Sequence, residues 1–148
     1  MKIFLATDHA GFELKEKLLS FLKDLGYEVE DKGAFSYDKD DDYPDFISQV
    51  AEEVSKDKES KGIILGGSGQ GEAIVANKFP NIRASVYYGG DFEIISLSRK
   101  HNDSNILSLG SRFVSEDLAK EAVKLWLETD FSGEERHLRR IKKIEKYD

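Results

Sequence analysis

Cysteine is absent from this chain of 148 residues. That excludes disulfides, thiolate zinc sites and a catalytic thiol, and it fits a reducing, cytoplasmic setting. Positive charge is in deficit: 22 Lys and Arg stand against 29 Asp and Glu, a formal net charge of −7. Nucleic acid is therefore not an expected partner, because general binding to it needs a basic surface. Long apolar runs are missing too, and none approaches the ~18 residues that cross a bilayer, so no membrane partner is expected. The opening MKIFLATDHAG has one lysine and a very short apolar stretch, which does not read as a signal peptide. Histidine is limited to His9, His101 and His137, none at helical i,i+4 spacing from another. With no cysteine beside them, neither a metal nor a cofactor is expected.

The remaining composition is globular, with 39% hydrophobic and 34% charged residues. A chain near 150 residues forms one domain, expected over 1–148, and buries roughly 68–70% of its unfolded surface. Five short β-like runs alternate with helical patterns: Lys2–Thr7, Glu28–Lys32, Gly62–Leu65, Arg83–Tyr88 and Asn105–Leu109. Runs such as Ile63-Ile64-Leu65 suit strands covered on both faces. Between them, Leu14, Leu18, Leu22 and Leu25 form one helical stripe that stops at Gly26. A second helix starts at Asp42-Tyr43-Pro44 and buries Phe46, Ile47, Val50 and Val54. Further helices are expected over Glu72–Lys78, Phe92–His101, Ser115–Leu127 and Glu134–Lys146. This alternation predicts right-handed βαβ units, a parallel sheet and a doubly wound three-layer α/β/α sandwich.

The most informative segment is Gly66-Gly67-Ser68-Gly69-Gln70-Gly71-Glu72, which follows a buried strand and opens a helix. Its glycines allow positive φ and let several N–H groups point one way. The helix N-terminus adds partial positive charge, so an anion or oxyanion site is expected there. Spacing excludes three familiar loops. A P-loop would end in Gly-Lys-Ser/Thr, whereas Gly71 is followed by Glu72. The dinucleotide pattern needs glycine at position 72, and a nucleophile elbow on Ser68 needs glycine at position 70. Two roles stand open for Glu72: a partner for the helix dipole, or a base beside the cradle.

Other candidates carry two readings each. Asp8-His9 end the first strand, either as a functional pair or as an N-cap beside an exposed histidine. His101-Asn102 lie at a helix C-terminus, where histidine also serves the dipole. Arg136 and Arg140 share a helix face with His137 alongside, which matches a phosphate monoester or simply a solvated basic end.

Taken together, the chain resembles the type B ribose-5-phosphate isomerase family, which includes the galactose-6-phosphate isomerase subunits. The resemblance rests on Thr7–Lys15, Asp42-Tyr43-Pro44-Asp45, Gly66–Glu72, Ala76-Asn77-Lys78, Arg99–Asp103, Leu109-Gly110-Ser111-Arg112 and Arg136–Arg140, in the family's order along nearly the whole chain. It implies a Rossmann-like five-stranded parallel sheet and a homodimer, sometimes paired into a tetramer, with sites at the dimer interface. It also implies that the C-terminal helix, about 134–147, reaches the partner's site. Many members carry a catalytic cysteine where this chain has Gly66 and an apolar residue where it has Glu72. A second branch uses the glutamate as base, and this cysteine-free chain resembles that branch.

The resemblance implies metal-free interconversion of ribose 5-phosphate and ribulose 5-phosphate through a cis-enediolate. In that reading Glu72 is the base, and His101 opens the sugar ring with Asp8 assisting through a hydrogen bond. Ser68 and the N–H groups of Gly67, Ser68, Gly69, Gln70 and Gly71 stabilise the enediolate. His9, Tyr43 and Asn102 bind substrate, while Arg112, Arg136, His137 and Arg140 hold the phosphate. Two rivals are an isomerase of a six-carbon sugar phosphate (allose or galactose 6-phosphate) and a non-catalytic subunit of such an enzyme.

Overall fold

A computed structural model describes residues 1–148. The chain folds as β1 (Lys2–Thr7), α1 (Phe12–Asp24), β2 (Glu28–Asp31), α2 (Tyr43–Lys56), β3 (Lys61–Gly66) and α3 (Gln70–Ala76). It continues as β4 (Ala84–Tyr87), α4 (Glu93–Lys100), β5 (Ile106–Gly110), α5 (Glu116–Glu128) and α6 (Glu135–Ile144). All five strands are parallel, in the order β2-β1-β3-β5-β4. The expected α/β/α sandwich is therefore the architecture found.

Alternation along the strands sorts side chains into two cores. Ile3, Leu5, Ile63, Leu65, Leu107 and Leu109 pack with Leu18 and Leu22 of α1, Ile95 of α4 and Trp126 of α5. Phe4, Ala6, Ile64 and Ile106 pack on the other face with Ile47, Val50 and Val54 of α2 and Ala76 of α3. Each fully buried Leu or Ile side chain stabilises the fold by roughly 1.5–3 kcal/mol relative to exposure.

Three expectations shift. Leu25 is 43% exposed, because α1 ends at Asp24 and Leu25 is its C-cap, off the inward stripe; Leu19 is buried instead. The third helix begins at Gln70 rather than Glu72, since Gly69 at φ 79° turns the chain into it. It ends early because the Asn77 side chain turns toward β4, accepting from the Ala84 N–H at 2.8 Å and donating to the Ala84 carbonyl at 3.1 Å. The fourth strand is shorter than expected, since the Arg83 N–H donates to the Asn105 side chain instead of joining the ladder.

In a parallel sheet every strand ends at one edge and every connecting helix returns to the other. β1 connects outward to β2 on one side, and β3 lies on the other, so the winding reverses between β1 and β3. Ligands of such sheets bind in the crevice outside the carboxyl ends at that reversal.

Candidate active site

At that reversal the structure forms a cleft of about 560 Å³. Asp8 and His9 leave the end of β1, Gly67, Ser68, Gly71 and Glu72 follow β3, and Arg112 and Phe113 follow β5. Tyr43, from the start of α2, closes one side.

The glycine loop is shaped by what touches it. A Cβ on Gly67 would lie 3.1 Å from the Arg112 guanidinium, and one on Gly71 would lie 2.5 Å from the Tyr43 hydroxyl. The N–H groups of Gly67, Ser68 and Gly69 make no hydrogen bond within the chain. The Gln70 N–H is engaged, donating to the Ser68 hydroxyl at 3.3 Å. Gln70 is also exposed and outside the cleft, so its expected share in the anion cradle is not supported by its position. Gly69 is buried behind the cleft, with its carbonyl accepting from Ser108 at 2.7 Å.

Glu72 is 4% exposed, in the first turn of α3. Burial pushes its carboxyl above the usual range, and the nearby Asp8 charge adds to the rise. Its carboxylate fills the space into which a side chain on residue 66 would project, so a Cβ on Gly66 would collide with it. Glycine at 66 and glutamate at 72 are thus one structural choice.

Asp8 takes the N-cap role of its two sequence readings, and it also faces the cleft. Its side chain accepts from the Ala10 N–H at 3.0 Å as an N-cap, while it lines the cleft at 6% exposure. Burial raises its carboxyl above the usual range, against lowering by the Ala10 N–H, His9 and Arg112. No hydrogen bond joins Asp8 to His101 within the chain. His9 is held by a residue outside the strand-end pair, Asp41 of the loop before α2. Its backbone N–H and its Nδ1 both meet Asp41 Oδ1, at 3.0 and 2.7 Å. Hydrogen bonding to Asp41 raises the imidazole above its ordinary range. The only sequence signal for Asp41 was the acidic run Asp38–Asp42, which reads as a solvated loop.

The remaining predicted residues stand elsewhere. His101 and Asn102 follow α4 just before β5, at the amino edge of the sheet. The five residues of β5 put roughly 15 Å or more between that edge and the cleft. His101 stacks on His137 of α6, ring centroids 4.3 Å apart. His137 is 4% exposed, and burial together with His101 and Arg136 pushes its imidazole below the usual range. Asn102 lines a separate crevice with Asn77 and Ser85. Arg136 is exposed and pairs with Glu134 at 3.0 Å, while Arg140 is exposed with no ion pair.

A doubly wound sheet whose reversal carries free backbone donors and a buried carboxylate defines an α/β protein equipped for proton transfer beside an anion cradle. The chain belongs to the ribose/galactose isomerase family, whose profile matches residues 3–144. It is 40% identical over 148 residues to ribose-5-phosphate isomerase B of Mycolicibacterium paratuberculosis, covering 100% of this chain and 92% of that protein. It is 43% identical over 143 residues to ribose-5-phosphate isomerase B of Escherichia coli, covering 97% and 93%. Its structure matches a crystal structure of ribose-5-phosphate isomerase B from Mycoplasma genitalium with bound ribulose-5-phosphate, at TM-score 0.94 and 37% identity over 99% of this chain and 95% of that one.

Proposed function

We propose that this protein is an aldose–ketose isomerase that interconverts ribose 5-phosphate and ribulose 5-phosphate, with Glu72 as the base. The observation that carries this reading is the buried Glu72 carboxylate beside the unengaged N–H groups of Gly67 and Ser68. A carboxylate raised above its usual range is a better base for a C–H proton than an ordinary one.

The furanose opens first. The C1 hydroxyl loses its proton, the C1–O4 bond breaks and O4 gains a proton, leaving the aldehyde. His101 and Asp8 are the acid/base pair for this step. Glu72 then takes the C2 proton, and negative charge develops on O1. Ser68 and the glycine-loop N–H groups stabilise that charge, each donor contributing about 2.7–4 kcal/mol in the transition state. Glu72 returns the proton to C1 while the C2 hydroxyl proton passes to O1, giving the ketose. Tyr43 and Asn102 bound the sugar.

His101 and Asn102 lie a strand length from the cleft of their own chain, so this mechanism needs a second copy. The working enzyme is then a homodimer, or a tetramer built from it, in which the amino edge of one copy closes the cleft of the other. The second copy brings His101, Asn102, Arg136, His137 and Arg140 to Arg112 and His9, completing a phosphate grip. Exposed Ile74, Tyr88 and Phe113 offer apolar area for such pairing. No helix is long and apolar enough to cross a membrane, and a sugar-phosphate substrate and the lack of cysteine suit the cytoplasm.

The test is turnover of ribose 5-phosphate beside allose 6-phosphate by the purified chain, with Glu72→Gln as control. Turnover of the five-carbon sugar that Glu72→Gln removes supports the reading. Preference for the six-carbon sugar, or activity that survives Glu72→Gln, rejects it.

A further inference from the structure

The acidic run ahead of α2 is more than a solvated loop at one point. Asp41 folds back over the end of β1 and engages His9 twice through one oxygen, at 3.0 Å from the backbone N–H and 2.7 Å from Nδ1. Its side chain is 9% exposed, and its second oxygen, Oδ2, is buried without a hydrogen-bond partner. A loop carboxylate sealed against one imidazole is unusual for a segment that also contains exposed Asp38 and Asp40, since desolvating a charge costs several kcal/mol unless it is paired.

We infer that Asp41 is a positioning residue for His9: it spends the Nδ1–H, fixes the ring against the strand end, and leaves Nε2–H as the donor presented to the anionic sugar phosphate in the cleft. This inference rests on the isomerase reading above for its substrate. The edge of Tyr37 completes the clamp, its ring centroid 6.2 Å from that of His9. The charged groups facing His9 are Asp41 from the loop, Asp8 at 3.9 Å from the end of β1, and Arg112 from the segment after β5. Asp41 and Asp8 favour the imidazolium and Arg112 opposes it, with the Asp41 hydrogen bond the largest influence. His9 therefore keeps its proton to higher pH than an ordinary histidine, and its grip on an anion is lost as pH rises through that raised value.

Asp41→Asn keeps an acceptor of the same shape and removes the charge; Asp41→Ala removes both. With only three histidines in the chain, imidazole NMR titration resolves His9, identified by its loss in His9→Gln. The expected result is a lower His9 midpoint in both variants, with His101 and His137 unmoved. The alkaline limb of kcat/KM moves down with it, and at pH 8 the loss is about tenfold and carried by KM. Rescue by lowering the pH is fuller for Asp41→Asn than for Asp41→Ala. An unchanged His9 midpoint in both variants overturns the inference, even if activity falls, because the loop would then act only as structure. If the wild-type chain turns over no sugar phosphate, the isomerase reading fails. The His9 midpoint, and its displacement by inorganic phosphate, still decide the role of Asp41.

Discussion

The two edges of the sheet carry opposite kinds of polar chemistry. At the carboxyl edge, Glu72 and Asp8 are buried carboxylates, 4% and 6% exposed, set among glycine turns. At the amino edge, Arg136 and Arg140 are exposed on α6, and His101 and His137 are stacked. Burial raises both carboxylates, which suits proton transfer. Exposed guanidinium groups keep their charge and their reach, which suits gripping an anion. The difference teaches that, on the proposed mechanism, one chain holds a proton-transfer centre and an anion grip that face different edges. The proposed mechanism then needs the carboxyl edge of one copy to meet the amino edge of another.

The hardest test of this contrast removes the base. Glu72→Gln is expected to lower kcat by about 10²–10⁴-fold in a ribose 5-phosphate assay, with a folded chain by circular dichroism. A near-normal kcat would strip the carboxyl edge of its assigned role. His101→Asn should cost about 10²-fold or more in kcat as well. Its sharper use is in mixing, because a hybrid of Glu72→Gln and His101→Asn subunits has one intact site if sites are shared between copies. Equal mixing after unfolding and refolding should then recover about a quarter of wild-type activity. No recovery from two inactive variants would mean that each chain works alone, and a near-normal kcat for His101→Asn by itself would mean that His101 is not used.

The anion grip comes next in size. Arg140→Ala should raise KM for ribose 5-phosphate about tenfold or more while kcat changes little, as expected for a hydrogen bond to a charged group remote from the reacting carbons. An unchanged KM would leave Arg140 as a solvated helix residue. A pH profile sharpens the carboxyl edge further. Because Glu72 must be ionised to act and its carboxyl is raised, kcat should fall on the acid side at a pH above the usual glutamate value of 4.5. The smallest effect is on stability. A raised carboxyl contributes stability that is present below its ordinary value and lost as pH rises through the raised one. Above that raised value the buried Glu72 charge costs stability, and there Glu72→Gln should raise Tm by roughly 2–4 °C per kcal/mol relieved. A lower Tm would indicate that the carboxylate is better paired than its surroundings indicate.

Much of the fold was legible because it depends on local pattern. The Lys2–Thr7 strand begins and ends where its apolar run does, and Ser115 caps α5 by accepting from the Leu118 N–H at 3.1 Å. Boundaries governed by distant groups were less legible: the end of α3 depends on Asn77 reaching β4, and nothing near Asn77 in the chain signals that. Lys15 makes the same point. It reads as a surface lysine on a helix, yet it is fully buried, donating to Asp31 at 2.7 and 2.8 Å and to the Ala34 carbonyl at 2.7 Å. In the cleft, Asp8, Glu72 and Arg112 were legible from their places after strands. Asp41 was not, because its chemistry comes from His9, 32 positions away.

By itself, the sequence determined the parallel α/β architecture and the glycine loop after β3, and it excluded a thiolate base. Periodicity and strand-end position are local properties, and a chain without cysteine has no thiolate to offer. Only the tertiary structure decided how those groups are shared out. It put Glu72 into the space of a residue 66 side chain, locked His9 onto Asp41, and sent His101 to the far edge with α6. Those outcomes depend on which strand ends lie side by side and which helices return to the opposite edge, and chain order does not specify that without the sheet.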